Sequence, residues 1–243
     1  MKKLLLTLSM ILGVHTSTVM AELTQIELHA TMGIVTNFIL DDSIVHNGTT
    51  YGTVTSPFTG KVWLDRNLGA SRVCTSFDDE QCYGDYYQWG RNFDGHQDSG
   101  SDITDIRATN INSAGNSFIV APLLDWALVD NNGSLRSANW SKTDGSFVCP
   151  LGFKVPTSSE FKAELFDTGS AEIQNRDDAF SSFLKLPSAG FRGDSSTGSR
   201  FNVGSEGNIW TSSVARTNSI SISFSSGGGK NRARGMSVRC IKD

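Results

Sequence analysis

Four cysteines, Cys74, Cys82, Cys149 and Cys240, set the tightest limit on how this chain can fold. An even set of thiols pairs in an oxidising compartment and stays reduced in the cytosol, so their meaning depends on where the chain goes. The N-terminus gives an address. Met1-Lys2-Lys3 is a basic start, Leu4 to Val14 is an apolar run of signal-peptide length, and Val19-Met20-Ala21 puts small residues at the −3 and −1 positions of a cleavage site. Residues 1–21 are therefore read as a secretory signal cut before Glu22. The protein is expected to be exported to a periplasm, a cell surface or the medium. No cysteine follows the cut, which argues against a lipid anchor. The apolar run is too short to span a bilayer, so no transmembrane segment is expected after cleavage.

Export implies two disulfides, for which three connectivities exist. The favoured pairing is Cys74–Cys82, closing a short loop, with Cys149–Cys240, tying the last strand back to mid-chain. In the chain-entropy view the longer loop is worth on the order of 4 kcal/mol. Metal ligation is the weaker reading, because no CxxC spacing occurs and no His lies at ligand spacing from a Cys. Glycine accounts for 24 of 243 residues and charged residues for 19%, which fits a loop-rich globular fold and not a bundle or coiled coil. A formal charge of −4 excludes a dedicated nucleic-acid binder, which needs clustered Lys and Arg.

Residues 22–47 read as an N-terminal arm, in which Leu23, Ile26 and Leu28, then Ile34 to Leu40, can form one or two strands; Asn47-Gly48 is a turn signal. Val62-Trp63-Leu64 is a short apolar strand. Phe118 to Val129 has apolar residues able to line a helix, with Pro122 limiting its start. Thr157 and Glu160 form a capping-box pattern ahead of Phe161, Leu165 and Phe166. Ala179, Phe180, Phe183 and Leu184 suggest a second short helix ending before Pro187. Near the C-terminus Ile220, Ile222 and Phe224 alternate with serines, and Met236, Val238 and Cys240 alternate with Ser237 and Arg239. Period-two alternation predicts an antiparallel hairpin of these two segments, one face dry and one wet, with Cys240 on its inner edge.

Five ordered motifs carry a family resemblance: Gly60 to Ala70 (GKVWLDRNLGA), Cys82 to Arg91 (CYGDYYQWGR), Cys149 to Thr157 with Glu160-Phe161, Leu186 to Arg192 (LPSAGFR), and Ser237 to Asp243 (SVRCIKD). Over residues 48–243 the chain resembles the Fibrobacter succinogenes major paralogous domain family, which is similar to the C-type-lectin-like and formylglycine-generating-enzyme superfamily. The resemblance implies an α+β fold with two short helices, small twisted antiparallel sheets and long loops, stapled by disulfides. Residues 22–47 lie outside it.

The search for chemistry finds no specific catalytic constellation. His15 lies in the signal and His29 and His46 in the arm. His96, alone inside the domain, reads as an exposed loop histidine. The superfamily's oxidising enzymes use a close cysteine pair near the C-terminus, where this chain has only Cys240. Asp78 to Asp105 carries eight acids against one base, Arg91. Within it Asp94, Asp98, Asp102 and Asp105 share a flexible stretch of the kind that supplies oxygen ligands to Ca²⁺, although the spacing is not that of an EF-hand. From Phe191 to Asp243, eight Lys and Arg face three acids. The wet hairpin face is the expected binding surface: Arg216, Asn218, Ser219, Ser221, Ser223, Lys230, Asn231, Arg232 and Arg234, with Trp210 as an anchor, while Trp63 and Trp89 belong to the core. The expected function is that of a non-catalytic binding or adhesion domain for an extracellular glycan or protein. Residues 212–234 also have the composition of segments rewritten by diversity-generating retroelements in some lectin-like domains. The alternatives are a diverged formylglycine-generating oxidase, which requires a free thiol at Cys240, and a structural protein of the cell envelope.

Overall fold

The computed structural model describes residues 43–121, 125–166, 173–215, 218–223 and 228–243, with the backbone alone for 215, 218–223, 228 and 229. The expected signal and the arm's strands within 22–42 lie outside the described residues. The architecture is mixed α and β, with few short helices, small sheets that are almost all antiparallel, and two disulfides. No described helix is long and apolar enough to cross a membrane.

Strands β1 (Ile44–His46) and β2 (Thr49–Tyr51) form a hairpin around Asn47 and Gly48, both at positive φ (47° and 77°), the conformation of a type I′ turn. The expected border between arm and domain falls inside this turn, and Ile44 pairs with Tyr51 across it.

Two four-stranded sheets organise the core. In the first, β3 (Thr53–Thr55), β4 (Val62–Leu64), β15 (Ile241–Lys242) and β8 (Phe153–Lys154) lie in the order β3-β4-β15-β8. The C-terminal strand is thus interior, with Ile241 opposite Trp63 on one side and Lys154 on the other. Beside it Cys240 bonds Cys149, and Cys74 bonds Cys82 in a separate loop, so both favoured pairs are present. In the second sheet, β10 (Arg200–Phe201), β9 (Phe191–Arg192), β14 (Gly235–Met236) and β5 (Tyr87–Gln88) lie in the order β10-β9-β14-β5. All five tryptophans are buried.

The predicted C-terminal hairpin takes a different form. Strand β12 (Asn218–Ser223) pairs with β11 (Asn208–Ala215) and β13 (Gly228–Lys230) in a meander, while the Met236–Cys240 segment crosses to the two main sheets. The reason is that residues 235–240 are buried on every side. Ser237 and Arg239, read as wet, are dry and find most of their partners inside: Arg239 donates through Nε to Asn67 Oδ1 and through Nη1 to the carbonyls of Leu64 and Leu184.

Helix α2 (Ser158–Leu165) carries both halves of the predicted capping box. Helix α3 (Arg176–Ser181) starts three residues before the expected Ala179, because the Asn175 side chain accepts from the N–H groups of Asp177 and Asp178. A further helix, α1 (Ser134–Trp140), was not foreseen; it buries only Arg136 and Trp140, too sparse an apolar stripe to read. The expected helix over 118–129 is absent from all of its described residues, 118–121 and 125–129. Phe118–Ile119 is strand β7, parallel to β6 (Ile103–Thr104), and residues 118–121 are buried in succession, as in a strand covered on both faces. Residues 122–124 lie outside the described set.

Candidate functional site

Two of the predicted ligand contacts are interior. Trp210 is fully buried, and its indole N–H donates to Tyr87 O at 2.8 Å, so it cannot anchor a ligand. Arg232 is also fully buried: Nη1 donates to Asp125 Oδ2 at 3.0 Å and to Asn131 O at 2.9 Å, and the guanidinium lies 4.9 Å from the Trp89 ring centre. It belongs to a ladder of cations and indoles. Arg136 clamps Asp125 with both terminal nitrogens and reaches Asp130 through Nε, and its guanidinium lies over both Trp89 and Trp126. Arg91 lies over Trp126 and pairs with Asp94. Three arginines thus meet three aspartates, the balance that lets buried charge persist. Burial pulls the pKa of Arg232 and Arg91 below the usual arginine range, with Asp125 and Asp94 respectively opposing the shift. Much of the C-terminal positive charge is consumed in this way, since Arg192 and Arg239 are interior too.

What remains on the surface is smaller and better ordered. Lys230 is half-buried at the end of β13. Asn231 Nδ2 donates to Asp194 Oδ2 at 2.9 Å, and Arg234 Nε to Asp194 Oδ1 at 3.4 Å. Asp194 sits just beyond β9 in the β9–β10 hairpin, so one carboxylate ties that hairpin to the 231–234 turn. The Arg234 guanidinium lies 4.9 Å from the Phe191 ring centre, and Phe191 stacks on Phe201. Asp194, Phe191 and Phe201 were not singled out as site residues; the signal that was there is a Gly193-Asp194 turn between two aromatic residues. Arg216 lies outside the described residues. Asn218, Ser219, Ser221 and Ser223 stand on β12 opposite Ala215, Val214, Trp210 and Asn208.

The acidic loop does not gather a calcium site. Asp94 is committed to Arg91 through Oδ2 and to His96 through Oδ1. Asp98 and Asp102 line a shallow cavity of about 350 Å³ with Gly95, Gly100, Ser101 and Asn116, which Asp94 and Asp105 do not reach. Among the described residues, no three His, Cys, Asp or Glu side chains converge as metal ligands. The one base of the stretch, Arg91, takes Asp94 for itself. His96 is the other correction, since it is buried and not exposed. Desolvation lowers its pKa to about 4, against the pull of Asp94, so the ring is neutral. Nδ1–H then donates to Asp94, and Nε2 accepts from the backbone N–H of Gln88 at 3.0 Å. Both ring nitrogens are occupied, which leaves none to activate a hydroxyl.

No family model matches the chain, and neither does any curated protein or solved structure.

Proposed function

We propose that this chain is an exported, non-catalytic binding or adhesion module of the C-type-lectin-like class. In this reading it recognises an extracellular glycan or protein on the side formed by β13, the 231–234 turn and the β9–β10 hairpin. The observation that carries the reading is the Asp194 carboxylate, which holds Asn231 and Arg234 together next to a stacked aromatic pair. A polar rim fixed in advance loses little side-chain freedom on binding. The frame behind it is pinned by Cys149–Cys240 and by the arginine–tryptophan ladder, so surface positions can vary without disturbing the core. Cys240 is bonded to Cys149, which deprives the oxidase alternative of its thiol.

A glycan array and a surface pull-down, run with the intact protein and a Lys230→Ala/Arg234→Ala double variant, test the proposal. Loss of binding at unchanged melting temperature is expected. Retained binding moves the site elsewhere, and an intact protein that binds only itself favours a structural envelope role. In the version where residues 212–234 are diversified, the buried positions Ser212, Arg232 and Ala233 must stay fixed. A reverse transcriptase and a near-identical template repeat beside the gene are then expected, and their absence removes that version alone.

A further inference from the structure

Strands β9 and β10 pair with Arg200 opposite Arg192 and Phe201 opposite Phe191, so alternation sends the cations to one face of the hairpin and the rings to the other. Arg192 itself is locked inward: its guanidinium donates to the carbonyls of Gly198, Asp98 and Ser101 and lies 4.2 Å from the Phe118 ring centre. On the ring face, Phe191 and Phe201 stack with centres 5.5 Å apart and planes 23° from parallel. Phe191 is half-buried, whereas Phe201 keeps 43% of its surface exposed. Gly193 makes this possible, because a Cβ there would lie 2.5 Å from Phe201 Cε2 and push the ring aside.

We propose that Phe201, backed by Phe191, is a platform on which the apolar face of a pyranose ring stacks, with the Asp194–Asn231–Arg234 cluster that borders Phe191, and Lys230 beside it in sequence, as the polar groups for its hydroxyls. This rests on the binding reading above and names its ligand class. The chemistry is complementary. An aromatic face is electron-rich, and the C–H bonds on one face of a pyranose present weak positive charge over a similar area. The hydroxyls at the edge of the sugar then need both donors and acceptors, and a carboxylate, an amide, a guanidinium and an ammonium supply both kinds. A single exposed ring with a polar border suits one sugar unit. A stable protein interface would need about 800 Å² from each partner, with an apolar centre.

The test is saturation-transfer NMR with methyl β-D-galactopyranoside and methyl β-D-glucopyranoside at about 10–50 mM, the range suited to so few contacts. The full protein is expected to transfer saturation to the ring C–H protons of at least one of them. Phe201→Trp keeps the effect. Phe201→Ala and Gly193→Ala, which remove or displace the ring, lower affinity by about fivefold or more. Far-UV circular dichroism and melting confirm that each variant folds, with Gly193→Ala serving as the second variant if Phe201→Ala does not. No transfer with either glycoside, or transfer indifferent to both substitutions, overturns the platform. If glycan-array binding is lost in Lys230→Ala/Arg234→Ala but kept in Phe201→Ala, the platform falls and the wider reading stands. If binding survives all of these variants, both fall.

Discussion

The two disulfides should contribute unequally, and the inequality can be worked from where they sit. Cys74–Cys82 spans 8 residues and Cys149–Cys240 spans 91. Cross-linking removes loop-closure entropy from the unfolded chain, which amounts to about 2.5 kcal/mol for the short loop and about 4.5 kcal/mol for the long one. The surroundings push the same way. Cys149 and Cys240 lie in the largest core cluster with Val148, Val238 and Trp210, where truncation to alanine also leaves a void, whereas Cys74 and Cys82 belong to a small peripheral group. The paired substitutions Cys74→Ala/Cys82→Ala and Cys149→Ala/Cys240→Ala isolate the two effects. Urea unfolding followed by fluorescence of the buried tryptophans reads them out. The second variant should be the less stable by about 2 kcal/mol or more, a difference of about 4–8 °C in Tm. Equal losses, or a larger loss from the short loop, would refute the claim that the long-range bond is the principal staple.

Asp85 supplies a pH test. Burial raises its carboxyl to about 6, with Asp98 adding to the rise and the Tyr87 hydroxyl opposing it. A folded-state pKa above the unfolded value of about 3.9 means that the native state is penalised increasingly as pH rises from about 4 to 6, the penalty levelling off at about 3 kcal/mol near pH 7. Asp85→Asn should therefore raise stability near pH 7 by about 2–3 kcal/mol and by almost nothing at pH 4. Buried neutral His96 acts oppositely, losing stability as pH falls from about 6.5 toward 4. In the intact protein the two contributions oppose one another across that window, so Asp85→Asn should lose stability more steeply than the parent as pH falls in unfolding titrations; parallel profiles would contradict the assignment. Arg232→Ala should cost about 3 kcal/mol in thermal unfolding, because it strips one partner from Asp125 and empties a buried site; a variant that melts like the parent would place Arg232 back on the surface. Thr157→Ala should cost about 1 kcal/mol through loss of the cap on α2, measured in the same way, and a neutral result would deny the capping box any energetic role.

The features legible in the sequence were those whose physics is local or covalent. Thr157 and Glu160 cap a helix using atoms three residues apart, Asn47-Gly48 turns a hairpin by its own φ preference, and the cysteines leave only three pairings. The misread features depend on what approaches from far along the chain. The alternation of Met236, Val238 and Cys240 with Ser237 and Arg239 is real, but Asn67 and the Leu64, Leu184 and Tyr83 carbonyls meet the polar side as well. Arg232 reads as a surface cation until Asp125, more than a hundred residues earlier, is brought beneath it. His96 reads as a loop residue until Asp94 and the Gln88 amide enclose it. The candidate surface was half visible: Asn231 and Arg234 were named, but their partner Asp194 and the ring pair beside it become a unit only when β9 folds against β14.

The interior position of β15 has a temporal consequence. A ribosome delivers a polypeptide N-terminus first, and β4 and β8 can complete their shared sheet only once residue 241 has arrived. Until then Trp63 and Phe153 border an open slot, and pairings that span about 90 to 180 residues wait for residues 241–242, the kind of non-local contact that slows folding. Such a molecule leaves its central sheet open through the synthesis of its first 240 residues and closes it only when Ile241 slides between Trp63 and Lys154.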